Sequence, residues 1–291
     1  MINDSTSRHI YREYDQQQLD AQYDQHTLVK DVQPFERSWR KGSIEANEQL
    51  SVQRDLAYGD SAGEKLDLFL PAGEGPFPVV AFFHGGGWTR HDKAKFAFPA
   101  PAFVEHDVAF ACIGFDKLPQ ITVAEITVQC RRAIDWLLAN AQDLHLDADA
   151  LFVAGHSSGA HLAATTVTSD NDAPAPDIKG ALLVSGIYDL EPVRLSARNE
   201  HLQLTAELAR ALSPIEHIPS DPCPLVVACG GGELDEFQRQ SAAFAAAWEA
   251  SGGAVQFISY PRHNHFSITA ELADATGEAM QAFLAIIEQR L

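Results

Sequence analysis

From about residue 51 the chain alternates short apolar runs with stretches in which apolar residues recur every three or four positions. Leu66, Leu68 and Leu70 alternate with Asp67 and Phe69, which predicts a half-buried strand. Residues 78–83 (PVVAFF) and 108–113 are continuous apolar runs, as in strands covered on both faces. Val123, Ile126, Cys130, Ile134, Leu137 and Leu138 fall at helical spacing. Residues 151–154 (LFVA) form a strand that runs straight into Gly155. Gly159, Ala160, Ala163 and Ala164 follow, small residues that let a helix lie close to a sheet. Ala181–Val184 and residues 225–229 are further strands, then a helix bears Phe237, Phe244 and Trp248. Val255–Tyr260 is the last strand, and a helix with Met280, Phe283, Leu284 and Ile287 closes the chain. The alternation predicts an α/β fold with a mostly parallel sheet and helices on both faces. Residues 51–291 read as one domain. Residues 1–50 are polar and lack a long apolar face. Tyr11, Tyr14 and Tyr23 mark them as an arm that packs on the body as short helices. Residues 187–222, with Pro192, Pro214, Pro219 and Pro222, read as an insertion between strands and a candidate lid.

Charge narrows the partners. The 291 residues include 21 Lys+Arg and 40 Asp+Glu, a net charge of −19. Such a balance opposes binding to nucleic acid, whose phosphates are held by clustered basic residues, and to anionic membrane surfaces. The sequence begins Met1-Ile2-Asn3-Asp4-Ser5, without a basic and then apolar leader, so a cytoplasmic protein is expected. Cys112, Cys130, Cys223 and Cys229 form no CxxC pair and read as reduced thiols; a Cys223–Cys229 disulfide is the minor alternative. Twelve histidines include no HExxH, and His263-x-His265 alone is too little for a metal site, so neither metal nor cofactor is expected.

The chemistry concentrates at four loops. Gly155-His156-Ser157-Ser158-Gly159 is a G-x-S-x-G between a strand and a small-residue helix, the context of a nucleophile elbow. Ser157 then projects at the carboxyl edge of the sheet beside a helix N-terminus, where developing negative charge is favoured. His84-Gly85-Gly86-Gly87-Trp88 follows the PVVAFF strand, and its backbone N–H groups suit an oxyanion hole. Gly86 and Gly87 are assigned as donors with Ser158 N–H as the third, although which two of the three glycines face the substrate stays open. Trp88 reads as a flat substrate wall or as packing, and His84 as a brace for the loop. After the last strand, His263 and His265 compete for the base, and His265 is preferred because it precedes Phe266 and the closing helix. The triad acid belongs on the loop after residues 225–229, where Glu233, Asp235 and Glu236 lie. Asp235 with Gln238 resembles a capping box, and Glu236 would open the helix, which leaves Glu233 for the acid and Asp235 as runner-up. His156, His161 and Asp189 read as packing or turn residues. Arg194 and Arg198 read as solvated, or as ligands of a substrate carboxylate.

With these residues in place, the chain resembles the α/β-hydrolases and, within them, the kynurenine formamidase (arylformamidase) group near the hormone-sensitive-lipase-like esterases. The likeness rests on residues 84–88 (HGGGW, fitting HGGxW), 57–71 (AYGDSAGEKLDLFLP), 155–162 (GHSSGAHL), 185–192 (SGIYDLEP), 236–241 (EFQRQS) and 264–266 (NHF). It implies Ser157 as nucleophile, His265 as base and Glu233 as acid, at a position where members of the group often carry Asp. It implies a metal-independent serine hydrolase for a small-molecule acyl or formyl substrate, foremost an aryl formamide such as N-formyl-kynurenine. Short-chain ester hydrolysis is the alternative, and a non-catalytic binding protein on the same fold a distant one. Homodimers are an option by analogy with the fold alone.

Overall fold

The apolar runs pair into one eight-stranded sheet. Its strands are β1 (Ser51–Ala57), β2 (Lys65–Leu70), β3 (Phe77–Phe83), β4 (Ala109–Ile113), β5 (Leu146–His156), β6 (Ala181–Val184), β7 (Leu225–Gly230) and β8 (Val255–Tyr260). Their spatial order is β1-β2-β4-β3-β5-β6-β7-β8. β2 runs antiparallel to β1 and β4, and every pairing from β4 through β3 to β8 is parallel. The structure, a computed structural model, describes residues 9–168 and 177–290; the opening Met1–Ser5 segment lies outside them.

Among the described residues, ten α-helices flank or extend the sheet: α1 (Gln16–Ala21), α2 (Gln33–Gln49), α3 (Ala100–Val104), α4 (Val123–Ala139), α5 (Ser158–Val167), α6 (Glu191–Leu195), α7 (Asn199–Leu202), α8 (Ala206–Ala211), α9 (Asp235–Ala250) and α10 (Glu278–Glu288). The period-two geometry of a strand sorts its side chains between two cores. Val79, Ala81 and Phe83 face a layer with Ile126 and Ile134 of α4, Leu162 of α5 and Phe244 of α9. Val80 and Phe82 face the other, with Phe103 of α3 and Phe283 of α10. Every residue of β3 is buried, which is why this strand reads as an unbroken apolar run.

The arm departs from expectation in one respect. Instead of only short helices it contains the 17-residue α2. Its buried face is Trp39, Ser43 and Ala46, one turn apart each, so only one large apolar residue marks it. The arm is tied to three parts of the body. Leu19 and Tyr23 enter the first core layer. Tyr11 OH donates to Asp189 Oδ2 at 3.1 Å, and Ala197 N–H donates to Asp20 Oδ1 at 2.7 Å, joining the arm to residues 187–222. Trp39 Nε1 donates to Thr269 Oγ1 at 2.7 Å, and Phe35 stacks on Phe266, joining it to the segment after β8. Residues 187–222 hold α6 to α8. All four cysteines are free thiols, so the disulfide alternative is not realised. Among the described residues no helix is long and apolar enough to cross a membrane.

Candidate active site

β5 ends in His156, Ser157 turns the chain, and α5 begins at Ser158. Ser157 has φ 58° and ψ −126°, a strained conformation for a residue with a side chain. The turn is clamped by Ser157 N–H donating to Val184 O at 2.9 Å. Gly159 makes the tight turn sterically possible, because a Cβ there would stand 2.0 Å from Phe83 O and 2.6 Å from His84 O. Both obstacles are backbone atoms of the neighbouring strand end, so neither can swing aside. Gly159→Ala should therefore destabilise the fold by about 3 kcal/mol or more. Urea unfolding checks it; an unchanged midpoint would show that the elbow has slack.

The loop after β8 brings His265 to the serine. Asn264 Oδ1 accepts from the N–H groups of Phe266 and Ser267, both at 2.9 Å, and so fixes the turn from which His265 projects. His265 Nε2 lies 2.9 Å from Ser157 Oγ, placed to accept its proton. On the other side of the ring, Nδ1–H donates to Glu233 Oε2 at 2.6 Å. His265 is 5% and Glu233 4% exposed, so this relay is shielded from water. The second carboxylate oxygen, Oε1, accepts from Ser185 Oγ at 2.5 Å and from Gly230 N–H at 2.6 Å. Those two donors hold the acid in place.

The structure thus brings Ser157, His265 and Glu233 together. Asp235 sits exposed at the first position of α9, and the capping box does not form. Leu234 occupies the N-cap, and Gln238 Nε2 instead donates to Glu233 O at 2.7 Å. Glu236 lies in the second helical position, not the first, fully buried and paired with Arg239. His263 donates nothing to the serine; its Nε2 pairs with Glu271 Oε1 at 3.0 Å. A six-residue 3₁₀ helix, Ser267–Leu272, separates His265 from the closing helix α10.

His156, read from the sequence as a packing residue, packs beneath His265. Its Nε2–H donates to the main-chain carbonyl of His265 at 2.9 Å, and its ring lies 4.9 Å from the His265 ring. Burial pushes the His156 pKa well below its usual value, so it is neutral and props His265 without adding a second positive charge. Ser185 and Gly230, which hold Glu233, were likewise not singled out as site residues. The SGIYDLEP motif contained the first of them.

In the glycine loop, Gly86 has φ +136°, and a Cβ there would stand 2.2 Å from Arg90 O, so no side chain fits. Its N–H makes no hydrogen bond to another described residue. Gly87 differs from expectation. Its N–H donates to Ser158 Oγ at 2.9 Å and is engaged as the molecule stands. Trp88 is only 3% exposed and packs edge-on against His161, so most of its surface serves packing rather than the pocket it borders. His84 stacks on Phe115 at 4.4 Å and donates through Nδ1 to Gly85 O at 2.8 Å, bracing the loop.

The glycine loop and His265 line one pocket beside Ser157. Its walls come from the body (Phe96, Phe237, Phe266), from residues 187–222 (Ile187, Val193, Arg198) and from the arm (Tyr23, Asp24, Trp39).

The profile of the BD-FAE family matches residues 66–247. The kynurenine formamidase of Danio rerio is 34% identical over 243 residues, covering 81% of this chain and 82% of that one. Esterase LipQ of Mycobacterium tuberculosis is 30% identical over 268 residues, covering 81% of this chain and 62% of that one. A solved structure from Silicibacter sp. TM1040, of a provisionally assigned thioesterase, is 27% identical with a TM-score of 0.80. The match covers 93% of this chain and 98% of that one.

Proposed function

The chain belongs to the BD-FAE family of α/β-hydrolases, among the relatives of the kynurenine formamidases, and from that membership we propose that it hydrolyses an aryl formamide through Ser157, His265 and Glu233. It is a serine-type hydrolase of this group. The observation that carries the reading is the shielded relay Glu233–His265–Ser157, with links of 2.6 and 2.9 Å.

Ser157 Oγ attacks the formyl carbon as His265 Nε2 takes its proton. The carbonyl π-electrons move onto oxygen, and the oxyanion accepts from the N–H groups of Gly86 and Ser158. Gly87 N–H joins them once the Ser158 hydroxyl rotates off it. Glu233 holds the imidazole in the tautomer that leaves Nε2 free to accept, and offsets the charge it gains. His265 then gives its proton to the departing aryl amine, and the C–N bond breaks to leave a formyl ester on Ser157. Water, deprotonated by His265, releases formate. The aromatic lining from Trp39, Phe237 and Phe266 suits an aryl leaving group. Likeness to an esterase favours short acyl esters as the second reading.

The experiment is kcat/KM for N-formyl-kynurenine beside p-nitrophenyl acetate and butyrate. A formamide value of about 10⁴ M⁻¹s⁻¹ or more, well above the esters, is expected. Ester turnover with negligible formamide turnover would move the protein to the esterase side. The acid is tested separately. Glu233→Gln should lower kcat by about 10³- to 10⁴-fold, as loss of the tautomer-fixing carboxylate does elsewhere. Asp235→Asn, at an exposed position, should stay within about twofold. The opposite ranking would reassign the acid to Asp235.

A further inference from the structure

Arg198 is the residue whose surroundings the hydrolytic relay does not explain. It precedes α7, is largely buried, and lines the same pocket as Ser157. Its Nε and Nη2 donate to the main-chain carbonyl of Tyr23 at 3.1 and 2.9 Å. That occupies one edge of the guanidinium. The other edge, Nη1 with the outward proton of Nη2, is open, and Nη1 has no partner among the described residues. Nη1 rests on the glycine loop, since a Cβ at Gly87 would lie 3.0 Å from it.

No carboxylate among the described residues forms an ion pair with Arg198, in a chain that has almost twice as many acidic as basic residues. Arg194 and Arg239, nearby in sequence or space, are both neutralised by glutamates. Burying a guanidinium without an ion pair is costly, and burial with the neighbouring Arg90 lowers the Arg198 pKa from its usual value, which the charge of Asp24 offsets only in part. The charge around the pocket is also inverted relative to the whole chain. Arg90 and Arg198 line it against a single acidic residue, Asp24. A strut between the arm and residues 187–222 would use the two bonds to Tyr23 but has no need of an unpaired edge beside the glycine loop of the pocket.

We propose that Arg198 receives a carboxylate on the substrate, and that the preferred substrates carry this carboxylate on the leaving group. The second half rests on the formamidase reading, because a formyl group has no room for a charge of its own. The open Nη1–Nη2 edge has the spacing that pairs with both oxygens of a carboxylate. Arg198 is thus a specificity residue, acting on binding and alignment rather than on protons.

The test is a ratio, which is insensitive to the amount of active protein. Two matched pairs are compared: N-formyl-kynurenine with its carboxamide, and 3-acetoxybenzoate with 3-acetoxybenzamide. In the natural protein, kcat/KM should favour the acid of each pair. In Arg198→Gln that preference should fall by about 10- to 100-fold, the size of a charge-assisted hydrogen-bond pair. A change under about threefold in both pairs would overturn the proposal and leave Arg198 a strut. If neither formamide is turned over but the ester ratio collapses, Arg198 keeps its role and the formamidase reading fails. If the formamides are turned over and the ratio stays put, the reverse holds. Should the variant not fold, competitive inhibition of the natural protein by benzoate and benzamide carries the test. Benzoate should bind at least tenfold tighter despite the net charge of −19, and equal binding would overturn the proposal.

Discussion

Ser157→Ala is expected to lower kcat by about 10⁵- to 10⁶-fold on any substrate the protein turns over, as loss of the nucleophile does in other serine hydrolases. The basis is the placement of Ser157 Oγ 2.9 Å from His265 Nε2, within reach for proton transfer. The fold should not notice the change. Ala meets the same backbone angles as Ser, and among the described residues Ser157 Oγ hydrogen-bonds to His265 alone. The thermal midpoint should therefore move by no more than about 2 °C, the response to a few tenths of a kcal/mol. Turnover and fluorophosphonate labelling read the result, with residual activity above about 1% removing Ser157 from the mechanism.

The second large effect is on stability. Between pH 7.5 and pH 5 the urea midpoint should drop steeply, well before the carboxylates titrate. His84, His156 and His161 are buried, and each spends its one imidazole N–H on a main-chain carbonyl. A second proton would land on His84 Nε2 or His161 Nδ1, neither of which has a partner. Burial accordingly depresses both pKa values to about 4. The sign follows. The unfolded chain takes up protons below about pH 6.5 and the folded chain does not until about pH 4, so acid favours unfolding throughout that window. At pH 5 the penalty is roughly 2 kcal/mol for each of His84 and His161, and His156 adds to it in the same direction. Against a usual stability of about 5–15 kcal/mol this is a large fraction. A midpoint that stays flat from pH 7.5 to 5 would mean these rings find water or a proton acceptor on opening.

Much of this architecture was legible in the residue pattern, for physical reasons that also mark where legibility stopped. β3 and the strand before Ser157 are covered on both faces, so their apolar runs are unbroken. α4 buries one stripe and shows the helical period. β1 was not marked because it is an edge strand with mostly exposed residues. α2 was not read as one long helix because Trp39 is the only large residue on its buried face. At the site, elements that hold their residues by local geometry could be read, such as the elbow and the glycine loop. Contacts between distant segments could not. Ser185 and Gly230 on Glu233, His156 under His265, and the Ser158 hydroxyl on Gly87 depend on the packing of separate strand ends. The supposed cap at Asp235 failed because Leu234 takes the N-cap position and a second local contact outcompeted the box. Gln238 is drawn to the Glu233 carbonyl, and that contact helps set the acid loop.

The arm gives the molecule a division of labour. The family profile begins at residue 66, yet Tyr23, Asp24 and Trp39 wall the pocket, and the Tyr23 carbonyl holds Arg198 in place. Ser157, His265 and Glu233 sit on loops at the strand ends of the shared body, where the sheet sets their spacing. The contour and charge of the entrance are set in part by a segment outside that body. Sequence drift among residues 20–40 is therefore expected to reshape the entrance directly, and to reach His265 through Phe237 and Phe266, on which Tyr23, Phe35 and Trp39 pack.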